Sequence, residues 1–126
     1  MNRIIMASLV LLATSFVTAN AQDIAAGEKV FKKCKACHTA TEAKNKIGPH
    51  LLGIVDRPAG TVEGFKYSKA MIAAAEGGLI WTAEDIAEYL VKPRAKLKGT
   101  KMSFAGLKKE EDVSNVIAYL AAQEAQ

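Results

Sequence analysis

The chain is poor in the residues that most site chemistries need. It has two cysteines, two histidines, one tryptophan and three prolines among 126 residues. Two cysteines with His38 and His50, at an unusual spacing, are too few for an ordinary zinc site. No stretch alternates as a β-strand does, so the βαβ setting of a thioredoxin-like redox pair is missing, although two thiols still leave a disulfide open. There is no internal repeat, no low-complexity tract and no internal linker, which leaves one small domain. No nucleic-acid recognition motif is present, so a nucleic-acid partner is not expected.

What the chain does have is Cys34-Lys35-Ala36-Cys37-His38, which contains both of its cysteines. C-x-x-C-H is the pattern of covalent c-type haem attachment. The spacing is mechanical: two thiols three positions apart lie on one side of a helical turn, where each can form a thioether to one vinyl group of a planar ring. The adjacent histidine can then bind the iron from one face. The expected cofactor is one haem c, bound through Cys34 and Cys37.

Residues 1–21 read as a cleavable signal peptide. Arg3 supplies the positive start, Ile4 to Val17 an apolar stretch broken only by small residues, and Ala19-Asn20-Ala21 an A-x-A cleavage site. The apolar part is short for a membrane span, so cleavage after Ala21 and export to the periplasm are expected. The mature domain is then 22–126. Losing Arg3, the one charge in the leader, lowers the formal net charge from +4 to +3. A domain this small buries a limited core, and a haem at its centre would supply much of it.

Helical spacing of Ala26, Val30, Phe31 and Cys34 predicts an amphipathic helix from Asp23 to about Lys35. A turn-rich segment follows over 39–67, punctuated by Gly48-Pro49, Gly53, Pro58, Gly60 and Gly64. Ser68 is placed to cap a short helix over Lys69–Glu76, stopped by Gly77-Gly78. Thr82 and Asp85 form a capping arrangement before Ile86, Tyr89 and Leu90. A basic loop is expected from Arg94 to Gly106. The last helix opens on Glu110, Glu111 and Asp112, where the helix dipole favours negative charge, and carries Val113, Val116, Ile117 and Leu120 on one face. The fold class is all-α.

Three side chains are candidates for the second axial position: Met71, Met102 and His50. Met102 sits in Lys98-Gly99-Thr100-Lys101-Met102-Ser103-Phe104, a loop that can reach across a ring from His38. Met71 lies within the short helix and reads better as a packing residue. His50 follows Gly48-Pro49 in a turn and reads as solvent-facing or locally hydrogen-bonded.

With these residues in view, the chain resembles the class I c-type cytochromes, most closely the bacterial cytochromes c2 and their mitochondrial relatives. The likeness covers almost all of 23–122. It rests on Gly27-Glu28-Lys29-Val30-Phe31 before the Cys34–His38 motif, on Ile47-Gly48-Pro49, Leu51 to Gly53 and Arg57, and on Gly64-Phe65-Lys66-Tyr67-Ser68 and Trp81. It continues through Tyr89-Leu90, Pro93, Gly99-Thr100-Lys101-Met102, Phe104-Ala105-Gly106 and Val116-Ile117-Ala118-Tyr119-Leu120.

The resemblance implies an all-α fold in which the first and last helices cross at Gly27, Phe31, Val116 and Tyr119, with loops and short helices around one covalent haem. It implies His38 and Met102 as iron ligands, and a Pro49 carbonyl accepting from the His38 ring. It implies Arg57, Tyr67 and Trp81 as donors to the haem propionates, Tyr89 and Thr100 as supports for Met102, and Phe104 near the haem edge. Two positions depart from the family. Met71 stands where mitochondrial relatives have an asparagine in a polar network, and His50 replaces a common asparagine.

A haem closed on both faces is a carrier of single electrons, not a catalyst. Lysines gather on both segments that would hold it: Lys32, Lys33 and Lys35 on one, Lys98 and Lys101 on the other, with Lys46, Lys92, Lys108 and Lys109 also available. Such a ring would steer acidic docking surfaces. The resemblance implies a monomer that takes electrons from a cytochrome bc-type complex or a dehydrogenase. It would pass them to a cytochrome oxidase, a photosynthetic reaction centre or a peroxidase. A haem enzyme or gas sensor with an open sixth position, and a cytochrome tethered by an uncleaved leader, are the competing readings.

Overall fold

The computed structural model describes residues 23–123, so the leader and its cleavage site lie outside the described residues. Five helices and a two-stranded ladder make up the domain: α1 Ile24–Phe31, β1 Arg57–Pro58, α2 Lys69–Glu76, β2 Ile80–Trp81, α3 Ala83–Val91, α4 Pro93–Lys96 and α5 Glu110–Ala122. None of the described helices is long and apolar enough to cross a membrane.

Helix α1 starts where Asp23 accepts a hydrogen bond from the Ala26 N–H at 3.0 Å, satisfying a donor that the helix itself leaves open. Its buried face is Gly27, Val30 and Phe31. Helix α5 has its three acidic residues in the first turn and buries Val113, Asn115, Val116, Tyr119 and Leu120. The two helices cross at Gly27. A Cβ there would overlap the Asn115 carbonyl oxygen and lie 2.8 Å from the Tyr119 Cβ, so only a glycine permits this approach. Phe31 and Tyr119 close the crossing with ring centroids 5.4 Å apart, and Val116 is 1% exposed at its centre.

Helix α1 ends earlier than its apolar spacing predicts. After Phe31 the bonds tighten to three-residue steps: Lys33 N–H to Val30 at 3.1 Å and Cys34 N–H to Phe31 at 2.8 Å. The attachment motif therefore sits on a chain of turns beyond the α-helix. Helices α2 and α3 begin as expected, with Ser68 accepting from the Met71 N–H at 3.1 Å and Thr82 from the Asp85 N–H at 3.2 Å. The expected loop from Arg94 is shortened, because Pro93, whose fixed φ suits a first helical position, opens the four-residue α4.

Like α4, the ladder is an element that the sequence did not announce. β1 and β2 pair antiparallel, with Arg57 opposite Trp81 and Pro58 opposite Ile80. Two-residue strands are too short for alternation to appear in a sequence. Their bonds run from Asp56 N–H to Trp81 O at 2.7 Å and from Ala59 N–H to Leu79 O at 2.9 Å. Trp81, Ile86, Tyr89 and Leu107 extend the core of the helix crossing toward this ladder.

Candidate haem site

The attachment motif closes on itself: Cys37 N–H and His38 N–H both donate to the Cys34 carbonyl, at 3.1 and 2.9 Å. One turn thus carries both thiols, which are free and half-buried. Burial pushes the Cys34 thiol up, with Lys33 pulling the other way, which favours the protonated form.

The His38 ring is fixed from two sides. Its Nδ1 bonds the Pro49 carbonyl at 2.7 Å, and Gly48 lies flat against it: a Cβ on Gly48 would overlap Cε1 and lie 2.7 Å from Nδ1. The Gly48 N–H in turn donates to the Cys37 carbonyl at 2.8 Å, tying the 46–49 turn to the motif. Desolvation lowers the His38 pKa, the Pro49 bond opposes this, and the Arg57 and Lys46 charges lower it further. The imidazole is held neutral, with Nδ1 engaged and Nε2 left as the possible donor to a metal. Gly48 is the residue that motif reading undervalued. Its place just before Pro49 marked a turn, but its contact with the ring is tertiary.

Met102 is half-buried against the core in an arm running from Leu97 to Leu107. The arm is tied at three places. Leu97 N–H donates to Pro93 O at 2.9 Å, and Leu107 N–H donates to Leu90 O at 2.7 Å. Between them, the Tyr89 and Thr100 hydroxyls share a 2.6 Å bond, and Thr100 Oγ1 accepts from the Met102 N–H at 3.3 Å. Burial raises the Tyr89 phenol, the Thr100 bond acting against it, so Tyr89 stays a neutral hydroxyl. At the far end Gly106 has φ +117°, and a Cβ would overlap the Val91 carbonyl oxygen. Among the three axial candidates, Met71 is half-buried and packed on the core, as a gap-filling methionine would be.

Arg57 and Trp81 are brought side by side by the ladder. Arg57 donates through Nη1 to Leu52 O at 3.2 Å and through Nη2 to His50 O at 3.1 Å, which leaves N–H groups of its five for another acceptor. Tyr67 accepts from the Val62 N–H at 2.9 Å and keeps its own O–H to donate. Trp81 packs on Tyr89 at 5.0 Å between centroids. Its indole N–H is a donor only. Phe104 is half-buried against the core.

His50 is half-buried. Its N–H donates to Asn45 Oδ1 at 3.0 Å, while its Nδ1 is buried without a partner. Lys32, Lys33, Lys35, Lys98 and Lys101 are all exposed. Lys46 is not free in the same way, because its ammonium donates to the Lys35 carbonyl at 2.5 Å.

These residues fit a covalent haem: paired thiols on one turn, a locked neutral imidazole beside them, a thioether on a tethered arm, and three donors suited to carboxylates. Among the described residues no group of three or more His, Cys, Asp and Glu side chains could hold a bare metal ion instead.

The comparisons with known proteins agree. The family model described as cytochrome c matches residues 24–124. The cytochrome c2 of Blastochloris viridis is 50% identical over 113 residues, spanning 89% of this chain and 87% of that protein. The cytochrome c2 of Afifella marina is 52% identical over 98 residues, 77% of this chain and 79% of the relative. The solved cytochrome c2 of Rhodospirillum centenum superposes with a TM-score of 0.77 at 44% identity, covering 82% of this chain and 99% of that one. The chain therefore belongs to the cytochrome c family, as a class I c-type cytochrome similar to cytochrome c2, a family of electron carriers that hold haem c covalently.

Proposed function

We propose that this chain is a diffusible one-electron carrier of the bacterial periplasm, exported with cleavage after Ala21, working as a monomer. Its haem is joined through Cys34 and Cys37 and ligated by His38 and Met102. The observation that carries this reading is the His38 ring, pinned by the 2.7 Å bond to Pro49 and by the bare Cα of Gly48.

A bound haem supplies a one-electron change between Fe(III) and Fe(II). The chain's residues do the rest. Pro49 holds the proton on Nδ1 of His38, so the Nε2 lone pair would be free to hold the iron of a bound haem. The Tyr89–Thr100 pair holds the Met102 backbone and so places the thioether. A soft thioether favours the reduced state relative to a second imidazole. With His38 and Met102 both holding the iron, no position would be left for a substrate. Arg57, Tyr67 and Trp81 would donate to the propionates, whose burial would otherwise be costly.

The exposed lysines at 32, 33, 35, 98 and 101 meet acidic faces of the partners. The donor is a cytochrome bc-type complex or a periplasmic dehydrogenase. The acceptor is a cytochrome oxidase, a reaction centre or a peroxidase.

Carbon monoxide titration of the ferrous holoprotein at neutral pH tests the ligand set: no rapid binding is expected, and rapid binding would remove Met102 as a stable ligand. Electron exchange with purified partner complexes should slow as salt rises; a flat response would sink the lysine docking. Mass analysis of the exported protein should find Gln22 at its N-terminus.

A further inference from the structure

Among the described residues, one buried side-chain nitrogen or oxygen has no hydrogen-bond partner: Nδ1 of His50. Buried polar groups are nearly always paired, so the exception needs a cause. The backbone on both sides of the ring is tied down. The His50 N–H donates to Asn45 Oδ1 at 3.0 Å, and the His50 carbonyl accepts from Arg57 Nη2 at 3.1 Å. One residue earlier, the Pro49 carbonyl holds Nδ1 of His38. His50 therefore stands between the imidazole that would hold the iron and the guanidinium that would hold a propionate.

Its surroundings specify the partner that the ring can take. Arg57 is half-buried, bonds two backbone carbonyls, and pairs with no carboxylate among the described residues. Asn45 is already spent, because its Nδ2 donates to the Glu63 carbonyl at 3.2 Å while its Oδ1 serves the His50 N–H. Burial, and then the Arg57 charge, lower the His50 pKa, so the ring is neutral at pH 7 and carries one N–H. A lone pair on Nδ1 could take a spare N–H of Arg57, yet no such bond forms. A proton on Nδ1 has no acceptor there. Two donors anchored to one stretch of backbone fit a single anionic acceptor with more than one oxygen, which is a carboxylate.

We infer that His50 is a further haem-binding residue of this chain, its Nδ1–H donating to the propionate carboxylate that Arg57 holds. The inference rests on the proposed haem site. The segment that fixes His38 through Pro49 would then also grip the carboxylate edge of the cofactor. A neutral donor offsets part of the carboxylate charge, and that favours the ferrous state.

Nitrogen NMR of the ferrous wild-type holoprotein should find His50 neutral, with its proton on Nδ1 and slow to exchange with water. A proton on Nε2 instead would overturn the inference. So would an Nδ1 proton exchanging as fast as that of an exposed imidazole, which would mean a water partner only. Redox titration of two variants gives a second readout. His50→Phe keeps a ring and removes the donor. It should lower the midpoint potential, moving the ferrous–ferric equilibrium about threefold toward ferric, a fraction of what a hydrogen bond to a charged group contributes. His50→Asn places an amide donor near the position of Nδ1 and should restore most of the wild-type potential. An unchanged potential in His50→Phe would overturn the inference, and so would a shift that His50→Asn fails to restore, since packing alone would then explain it. The wild-type ring spectrum needs no variant, so it decides the matter even where His50→Phe yields no holoprotein. The haem-site reading fails separately: haem released from the polypeptide on denaturation, or Arg57→Gln with an unchanged midpoint potential, would sink that reading whatever His50 does.

Discussion

Where α1 crosses α5 the chain packs on itself side chain to side chain, with Val116 1% exposed and no room for a Cβ at Gly27. Helix α2, of the same eight-residue length as α1, buries none of its residues. Met71 and Ala75 only lean on the core. The segment around α2 is held by backbone and cap bonds: the two-residue ladder, Asn45 bridging the His50 N–H and the Glu63 carbonyl, and Tyr67 on the Val62 N–H. The crossing is therefore a packed core of the usual kind. The other wall is a shaped frame, and the donors Arg57, Tyr67 and Trp81 belong to it. One region supplies stability by close contact; the other supplies positioned polar groups.

The comparison can be broken most forcefully at the crossing. Gly27→Val should cost about 3 kcal/mol, because the new atoms meet the Asn115 backbone rather than a movable side chain. Denaturant unfolding of the holoprotein checks it. A cost no greater than that of the changes below would mean the crossing is looser than its contacts imply.

Gly106→Ala should follow at about 2 kcal/mol, from the strain of a positive φ and the clash with the Val91 carbonyl. It should also loosen the methionine arm, so the ferrous variant should take up carbon monoxide faster than wild type. Equal uptake would show that the arm is fixed by its Tyr89–Thr100 tie alone.

Two smaller changes sharpen the contrast. Tyr89→Phe removes the 2.6 Å bond to Thr100 and should cost about 1 kcal/mol, with a shift in midpoint potential if the pair places Met102. Ser68→Ala removes the cap of α2 and should cost that helix about 1 kcal/mol. Hydrogen exchange should quicken within Lys69–Glu76 while the global midpoint barely moves. If the global midpoint falls as far as in Gly27→Val, the frame is part of the same cooperative core.

The smallest effect is expected on the surface pair of α3 and α4. Lys96 bonds Asp85 at 2.6 Å and Glu88 at 2.7 Å. The Lys96 bond, then that of Thr82, holds the Asp85 carboxyl below its ordinary value. A carboxyl depressed in the folded state stabilises above its unfolded pKa and loses that contribution as pH falls through the folded value. Lys96→Met should remove most of this contribution, so its small cost should be present at neutrality and vanish as pH falls through the folded value. Thermal midpoints across the carboxylate range would show it, and an identical acid limb would remove Asp85 from the account.

Much of this protein was legible in its residues because the decisive contacts are local. Ser68 and Thr82 cap the helices that follow them because a side-chain oxygen reaches the N–H three residues on. Cys34 and Cys37 share a turn for the same reason of spacing, and the 113–120 stripe of α5 faces the core by helical period alone. The misreadings are local too, but they turn on which hydrogen bond wins. Nothing in the apolar spacing says that α1 tightens after Phe31, and a lone proline at 93 did not reveal that it starts a helix rather than ending one.

By itself, then, the sequence determined four of the five described helices, the caps of α2 and α3, and the identity of the groups that could hold a haem, since each depends on atoms a few residues apart. Only the tertiary structure decided that Arg57 stands opposite Trp81, that Gly48 lies on the His38 ring, that Lys46 is turned back onto Lys35, and that Ile47 is left facing solvent. Those placements join segments far apart in the chain. They exist only once the crossing of α1 and α5 has brought the segments between them to one place.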